Sequence, residues 1–138
     1  MNTESYIERL EKAMNTFSKK CFTKEMQGLE ITVTQMQMLL LINSLSGCKM
    51  SDLSEALGVT LGNVTSMIDR LIKEDLVKRC EDNSDRRIVR IELSKKGRDT
   101  VKAILENRKK GLSSIFKNVN ENDKATLLSI MERIAAGL

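Results

Sequence analysis

Asp82, Asp85, Arg86 and Arg87 are the densest group of side chains able to do chemistry, and they sit within DNSDRRIVRIELSKKG at 82–97. Two short β-prone runs, 77–79 and 88–93, flank this polar turn and push its arginines out to the tip of a hairpin. An arginine on a solvated tip is suited to a DNA minor groove, where narrow A·T segments concentrate negative potential. Charge is concentrated in the same place. Residues 78–98 hold eight basic and four acidic side chains, so the whole net charge of +4 can be assigned to this hairpin and the few residues after it. A mildly basic chain with a pI of about 9.0 is compatible with a polyanion partner.

Other chemistry is poorly supplied. The chain has no His, which removes Ser/His and Cys/His catalysis, and Cys21, Cys48 and Cys80 are widely spaced with no CxxC pair. No metal site, no cofactor and no enzymatic activity are expected. An odd number of separated cysteines fits free thiols in a reducing cytosol. The longest uninterrupted apolar run is 38–42 and the N-terminal MNTESYIERLEK lacks a basic start followed by an apolar stretch, so no signal peptide and no membrane span are predicted. At 138 residues with 41% hydrophobic content, the chain is the size of one domain able to bury a core.

The elements that must position the hairpin can be read from periodicity. Ile7, Leu10, Met14, Phe17 and Cys21 recur at steps of three and four, predicting a long amphipathic helix over about 3–28. Thr32 and Gln35 have the form of a capping box before a second helix that ends near Ser46, with Gly47 as its stop. A short third helix spans 50–57 and is closed by Gly58. Thr60 caps a fourth, whose buried stripe is Val64, Met67, Ile68 and Leu71. Ser94 caps a fifth helix from 95 to about 118, in which Gly97 and Gly111 read as weak points. Asn120 opens a last helix to about 136, with Leu127, Ile130, Met131 and Ile134 apolar.

Ser54, Gly58 and Val64, at i, i+4 and i+10, have the spacing of a helix-turn-helix: a small residue at the crossing, a glycine in the turn and an apolar anchor on the second helix. Any αα-hairpin can match that spacing. A two-stranded hairpin directly after it makes a winged helix, whose second helix enters the major groove and whose wing enters the minor groove. Thr60, Asn63, Thr65 and Ser66 are suited to base-edge and phosphate hydrogen bonds, and Asn can pair bidentately with adenine. The alternative for these residues is an ordinary solvated helix face.

The order LSEALGV, TLGNVTSMIDRLIKEDLVKR, DNSDRRIVRIELSKKG resembles the MarR family of bacterial transcriptional regulators. The wing pattern is matched by Asp82, Asp85, Arg86, Arg87, Leu93, Ser94 and Gly97, and the recognition-helix pattern by Val64, Thr65, Asp69, Arg70 and Leu71. Only 53–97 is specific, although the arrangement is similar over the whole chain. The resemblance implies a mainly α fold with a small β-hairpin, a winged helix-turn-helix (32–98) flanked by N- and C-terminal dimerisation helices (1–31 and 99–138) in a single domain over 1–138. It implies a ligand-responsive repressor that binds a palindromic operator in double-stranded DNA as a homodimer, in a bacterial or archaeal cytoplasm, associated with the nucleoid through DNA. The alternative weighed is a winged helix used for protein contact without DNA binding.

By the same resemblance Arg87 inserts into the minor groove, Asp85 pairs with it and orients it, and Arg86 lies near the phosphates. Pairing restricts the rotamers of Arg87 before binding, so less freedom is lost on the DNA. Arg90 is assigned to a phosphate contact or a solvated strand charge. The recognition set is Thr60, Leu61, Gly62, Asn63, Thr65, Ser66 and Arg70, with Ser51 on a phosphate. Gly62 either lets the backbone approach DNA closely or is a tolerated defect. Asn83 stands where many members have Pro, which should loosen the turn. A small-molecule effector, of unknown identity, is implied between the dimer helices and the winged helix, with Met14, Phe17, Met36 and Leu40 as apolar candidates; plain core is the competing reading. Cys21 stands where the peroxide-sensing branch carries a cysteine, but without that branch's tyrosines. An independent reason for a dimer is that the long terminal helices carry more apolar surface than a compact winged helix can cover.

Overall fold

Local caps set most of the element boundaries. The structure, a computed structural model, describes residues 2–137. Its order is α1 (Thr3–Glu25), α2 (Val33–Leu45), β1 (Cys48–Lys49), α3 (Met50–Leu57), α4 (Leu61–Lys73), β2 (Val77–Glu81), β3 (Val89–Leu93), α5 (Lys95–Ile115) and α6 (Glu121–Ala135). Thr32 Oγ1 accepts from the Gln35 amide at 3.1 Å while Gln35 Oε1 accepts from the Thr32 amide at 3.0 Å, a complete capping box. Thr60, Ser94 and Asn120 cap α4, α5 and α6 by accepting from the amides of Asn63, Gly97 and Asp123. Gly58, at φ 65°, closes α3 in the left-handed conformation.

Three features differ from the sequence expectation. α1 stops at Glu25 and α5 at Ile115, each about three residues early. α2 is ended by Ser46, itself left-handed at φ 46°, before Gly47 at φ 81°. The sheet has a third strand: β1 joins the hairpin in the antiparallel order β1-β3-β2, with Cys48 opposite Ile91 and Lys49 opposite Arg90. Two residues give no alternation to read, so periodicity misses it.

Met38, Leu39 and Ile42 of α2 meet Leu53 of α3, Val64, Ile68 and Leu71 of α4, Val77 of β2, Ile91 and Leu93 of β3 and Val101 of α5 in one core. Burying residues of this size contributes about 1.5–3 kcal/mol each. Gly97 proves to be a packing requirement and not a weak point: a Cβ there would lie 2.0 Å from the Leu76 carbonyl oxygen. α5 therefore starts hard against the α4–β2 turn, where Ser94 Oγ also donates to the Asp75 carbonyl. Gly111 is used the same way, since a Cβ there would meet Lys24 Cβ at 2.6 Å. That close crossing of α1 and α5 is pinned by Asn107 Nδ2, which donates to the carbonyls of Glu25 and Gln27, and by Arg108 on the buried Glu25 at 3.2 Å. α6 contains no buried residue.

Candidate nucleic-acid interface

Ser54, Gly58 and Val64 come together as a helix-turn-helix requires. The Ser54 hydroxyl donates to the Val59 carbonyl, Gly58 takes the turn, and Val64 is fully buried against α3 and the core. This anchoring leaves the opposite face of α4 in solvent. Thr60, Leu61, Gly62, Asn63, Thr65, Ser66 and Arg70 are all exposed or partly exposed, as is Ser51 in the first turn of α3. The Thr65 hydroxyl donates to the Leu61 carbonyl at 2.9 Å, so its proton is engaged within the helix and its lone pairs remain available to a donor. Gly62 has no neighbour that a Cβ would crowd, its nearest being Thr60 Oγ1 at 3.9 Å, so packing gives no reason for a glycine there.

The wing is the β2–β3 hairpin with a loop over 82–88, in register from Val77 opposite Leu93 to Glu81 opposite Val89. Asp82 organises the loop. Its Oδ2 accepts from the Ser84 amide (3.2 Å), the Ser84 hydroxyl (2.6 Å) and the Asp85 amide (3.1 Å), the pattern of an Asx turn. The turn around Asn83 is thus held by side-chain acceptance by Asp82, where the sequence suggests a looser turn. Asp85 in turn binds Arg87 three times: Oδ1 accepts from the Arg87 amide (3.0 Å) and Nε (3.2 Å), and Oδ2 from Nη2 (3.2 Å). The Arg87 side chain is nonetheless 91% exposed, so it is oriented and left available.

Hydrogen bonding explains the electrostatics. The Ser84 hydroxyl and then Arg90 hold the Asp82 carboxyl far below the usual carboxylate range. Arg87 lowers Asp85 in the same way. Much of the basic run is occupied internally. Arg79 pairs with Asp69 of α4 at 2.6 Å, Lys96 donates to the Glu74 carbonyl at 3.0 Å, and Arg98 to the Leu93 carbonyl at 3.1 Å. Arg90, expected as a phosphate contact or solvated charge, is bound to Asp82 and to the Gly47 carbonyl. The charge count over 78–98 therefore overstates the free charge that reaches solvent. A signal for the Arg90 pair is present in the sequence, because an acid at 82 and a base at 90 are diagonal neighbours in the hairpin register.

The four effector-cleft candidates do not share one wall. Met36 is fully buried, Leu40 packs against the core, Met14 is exposed, and Phe17 meets Phe116 of the α5 end with ring centroids 5.9 Å apart. Phe17 also lines an open groove of about 540 Å³ with Arg9, Lys12, Thr16, Lys20 and Ile115. Among the described residues no group of three or more His, Cys, Asp or Glu could hold a metal ion, and no helix is long and apolar enough to cross a membrane.

The MarR family model matches residues 31–89, from just before α2 to the first residue of β3. Among curated relatives, the uncharacterized HTH-type transcriptional regulator YfiV of Bacillus subtilis is 30% identical over 112 residues, covering 79% of this chain and 70% of that protein. The transcriptional repressor MprA of Escherichia coli K12 is 28% identical over 88 residues, 64% of this chain and 50% of MprA. Among solved structures, RV1404 from Mycobacterium tuberculosis superposes with a TM-score of 0.87 at 21% identity, covering 99% of this chain and 94% of that one. Apo MarR from Escherichia coli gives 0.73 at 24%, covering 92% and 95%.

Proposed function

The chain belongs to the MarR family of winged-helix, DNA-binding transcriptional regulators and is not an enzyme, and on that premise we propose that it is a homodimeric repressor of a palindromic operator, released by a small-molecule effector. The carrying observation is the wing tip, where Asp85 grips an Arg87 that is 91% exposed. α4 enters the major groove with Asn63, Thr65 and Ser66 toward base edges, and Thr60, Arg70 and Ser51 serve the backbone. Leu61 and Gly62 lie at the start of α4, where its backbone comes closest to the duplex. Arg87 enters the adjacent minor groove and Arg86 meets phosphate.

The dimer is supported by α6, whose Leu127, Ile130, Met131 and Ile134 are exposed in the single chain at helical spacing. A two-fold dimer places two recognition helices roughly 34 Å apart, one turn of DNA, hence a palindrome. Repression is the role named for MprA, and we extend it to this chain. The effector is an apolar or amphipathic molecule small enough for the space between the terminal helices and the winged body. Phe17 is the best placed of the four candidate wall residues, while Met14, Leu40 and Met36 contribute only where a partner subunit or a rearrangement brings them together. Such a regulator works in the cytoplasm, where its DNA is.

Selection of bound duplexes from a random pool tests the reading. A palindromic motif is expected, and gel-shift affinity for it should fall steeply with added salt. Arg87→Ala should cost about 1–3 kcal/mol of binding and leave the dimer intact. A pool that yields no motif, or an Arg87→Ala protein with wild-type affinity, overturns it.

A further inference from the structure

Arg87 is oriented relative to its loop by Asp85, but that does not orient the loop relative to α4. Two arginines tie the hairpin to the rest of the body. On β2, Arg79 reaches Asp69 of the recognition helix, but both side chains are about half exposed (48% and 56%), where such pairs hold weakly. On β3, Arg90 Nε donates to Asp82 Oδ1, and the Asp82 side chain is only 7% exposed. The second arm of the same guanidinium, Nη1, donates at 2.7 Å to the carbonyl of Gly47, in the corner between α2 and β1. Asp82 Oδ2 meanwhile holds the Ser84 and Asp85 amides. One planar fork thus joins the wing turn to a corner of the core, spanning from β3 to acceptors on either side.

We propose that Arg90 is the positioning residue of the wing: it touches no DNA and acts through Asp82 to fix the loop that presents Arg87. The proposal rests on the DNA-binding reading of the wing. A loop fixed before binding loses less freedom on the duplex, so its anchor contributes to affinity without a contact of its own. Only arginine offers two donors in a rigid fork for this span; a lysine supplies a single ammonium and keeps the charge.

The test is a double-mutant cycle on a duplex recovered by random-pool selection, using wild type, Arg87→Ala, Arg90→Ala and the double variant. Arg90→Ala should weaken binding by about five- to tenfold with the salt slope unchanged, and should add little in the Arg87→Ala background. Amide exchange at Ser84 and Asp85 should quicken in the free protein, a readout independent of DNA. A salt slope reduced by about one marks a phosphate contact and overturns the proposal. Wild-type affinity in Arg90→Ala, or a full additive loss in the double variant, overturns it too. If Arg90→Ala does not fold, Arg90→Lys decides by the same cycle, with an intermediate loss supporting the proposal and wild-type binding overturning it. Wild-type binding by Arg87→Ala brings down the wing reading itself, whereas a normal Arg87 effect beside a silent Arg90 brings down only the present proposal.

Discussion

The winged body and the terminal helices solve the burial problem differently. From α2 to the start of α5 the apolar faces converge on one core, and the polar turns are closed by side chains of the same chain, as at Thr32, Ser54, Asp82 and Ser94. α6 has no buried residue, and Tyr6, Ile7, Leu10 and Met14 of α1 are exposed as well. The body's shape is therefore fixed by one chain, while the termini carry apolar area that one chain leaves uncovered. On the proposed reading, a change in the body should act mainly on folding or on DNA, and a change on α6 on association.

Triple replacement Leu127→Gln, Met131→Gln, Ile134→Gln is the largest test of that contrast. At about 1.5 kcal/mol per apolar side chain, the low end for full covering, and with each change present twice in a two-fold dimer, association should weaken by about a millionfold. Sedimentation should then find monomers whose far-UV dichroism is still helical. An unchanged dimer would place the partner surface elsewhere.

Two glycine substitutions compare the regions directly. At Gly97 the added methyl meets the Leu76 backbone, which cannot step aside without moving the α4–β2 turn. Gly97→Ala should cost about 3 kcal/mol in urea unfolding. At Gly111 the obstacle is Lys24 Cβ at 2.6 Å, a lesser overlap than the 2.0 Å to the Leu76 oxygen, and Gly111→Ala should cost about 1–2 kcal/mol. The reverse order would mean that the α1–α5 crossing, pinned by Asn107 and Arg108, is the stiffer of the two.

Gly62 sharpens the contrast within the body. Nothing in the protein crowds its missing side chain, so Gly62→Ala should stabilise the fold by up to about 1 kcal/mol. If α4 brings its backbone against DNA there, the same variant binds the selected duplex several-fold more weakly. Stability and affinity rising together would leave the glycine a mere defect.

Legibility in the sequence tracks the range of the forces involved. Caps are local, so Thr32, Thr60, Ser94 and Asn120 are readable from residues three or four positions apart, as is the left-handed Gly58. The pairing of Asp85 with Arg87 is equally local, and the wing is where sequence and geometry agree most closely. Long-range contacts are not legible. The strand β1 depends on Cys48 and Lys49 meeting residues more than forty positions away, and Gly97 is explained only by Leu76 approaching from another element. Arg90 is misleading in part for the same reason: Asp82 is a readable diagonal neighbour across the hairpin, but the Gly47 carbonyl is more than forty positions away. The effector-cleft set rests on helical spacing, which cannot separate a core residue such as Met36 from an exposed one such as Met14.

The smallest effect expected is that of pH. Asp82 and Asp85 are held below the ordinary carboxylate value of about 3.9 by Ser84, Arg90 and Arg87. Their contribution is therefore complete above that value and is lost only as pH falls through the lowered ones. At the other end, burial raises the Cys48 thiol in the body, the Cys21 thiol on α1 and the Cys80 thiol on β2, the last with help from Glu92. A raised thiol favours the folded state at low pH, and that advantage is lost as the unfolded chain ionises above about pH 8.5. With no His in the chain, stability measured by urea unfolding should be nearly flat from about pH 5.5 to 8. Below that window the loss should be reduced by Asp82→Asn, a change in the wing; above it, by Cys48→Ala, a change in the core. A transition centred near neutrality in the wild type would contradict this expectation, because the chain has no His.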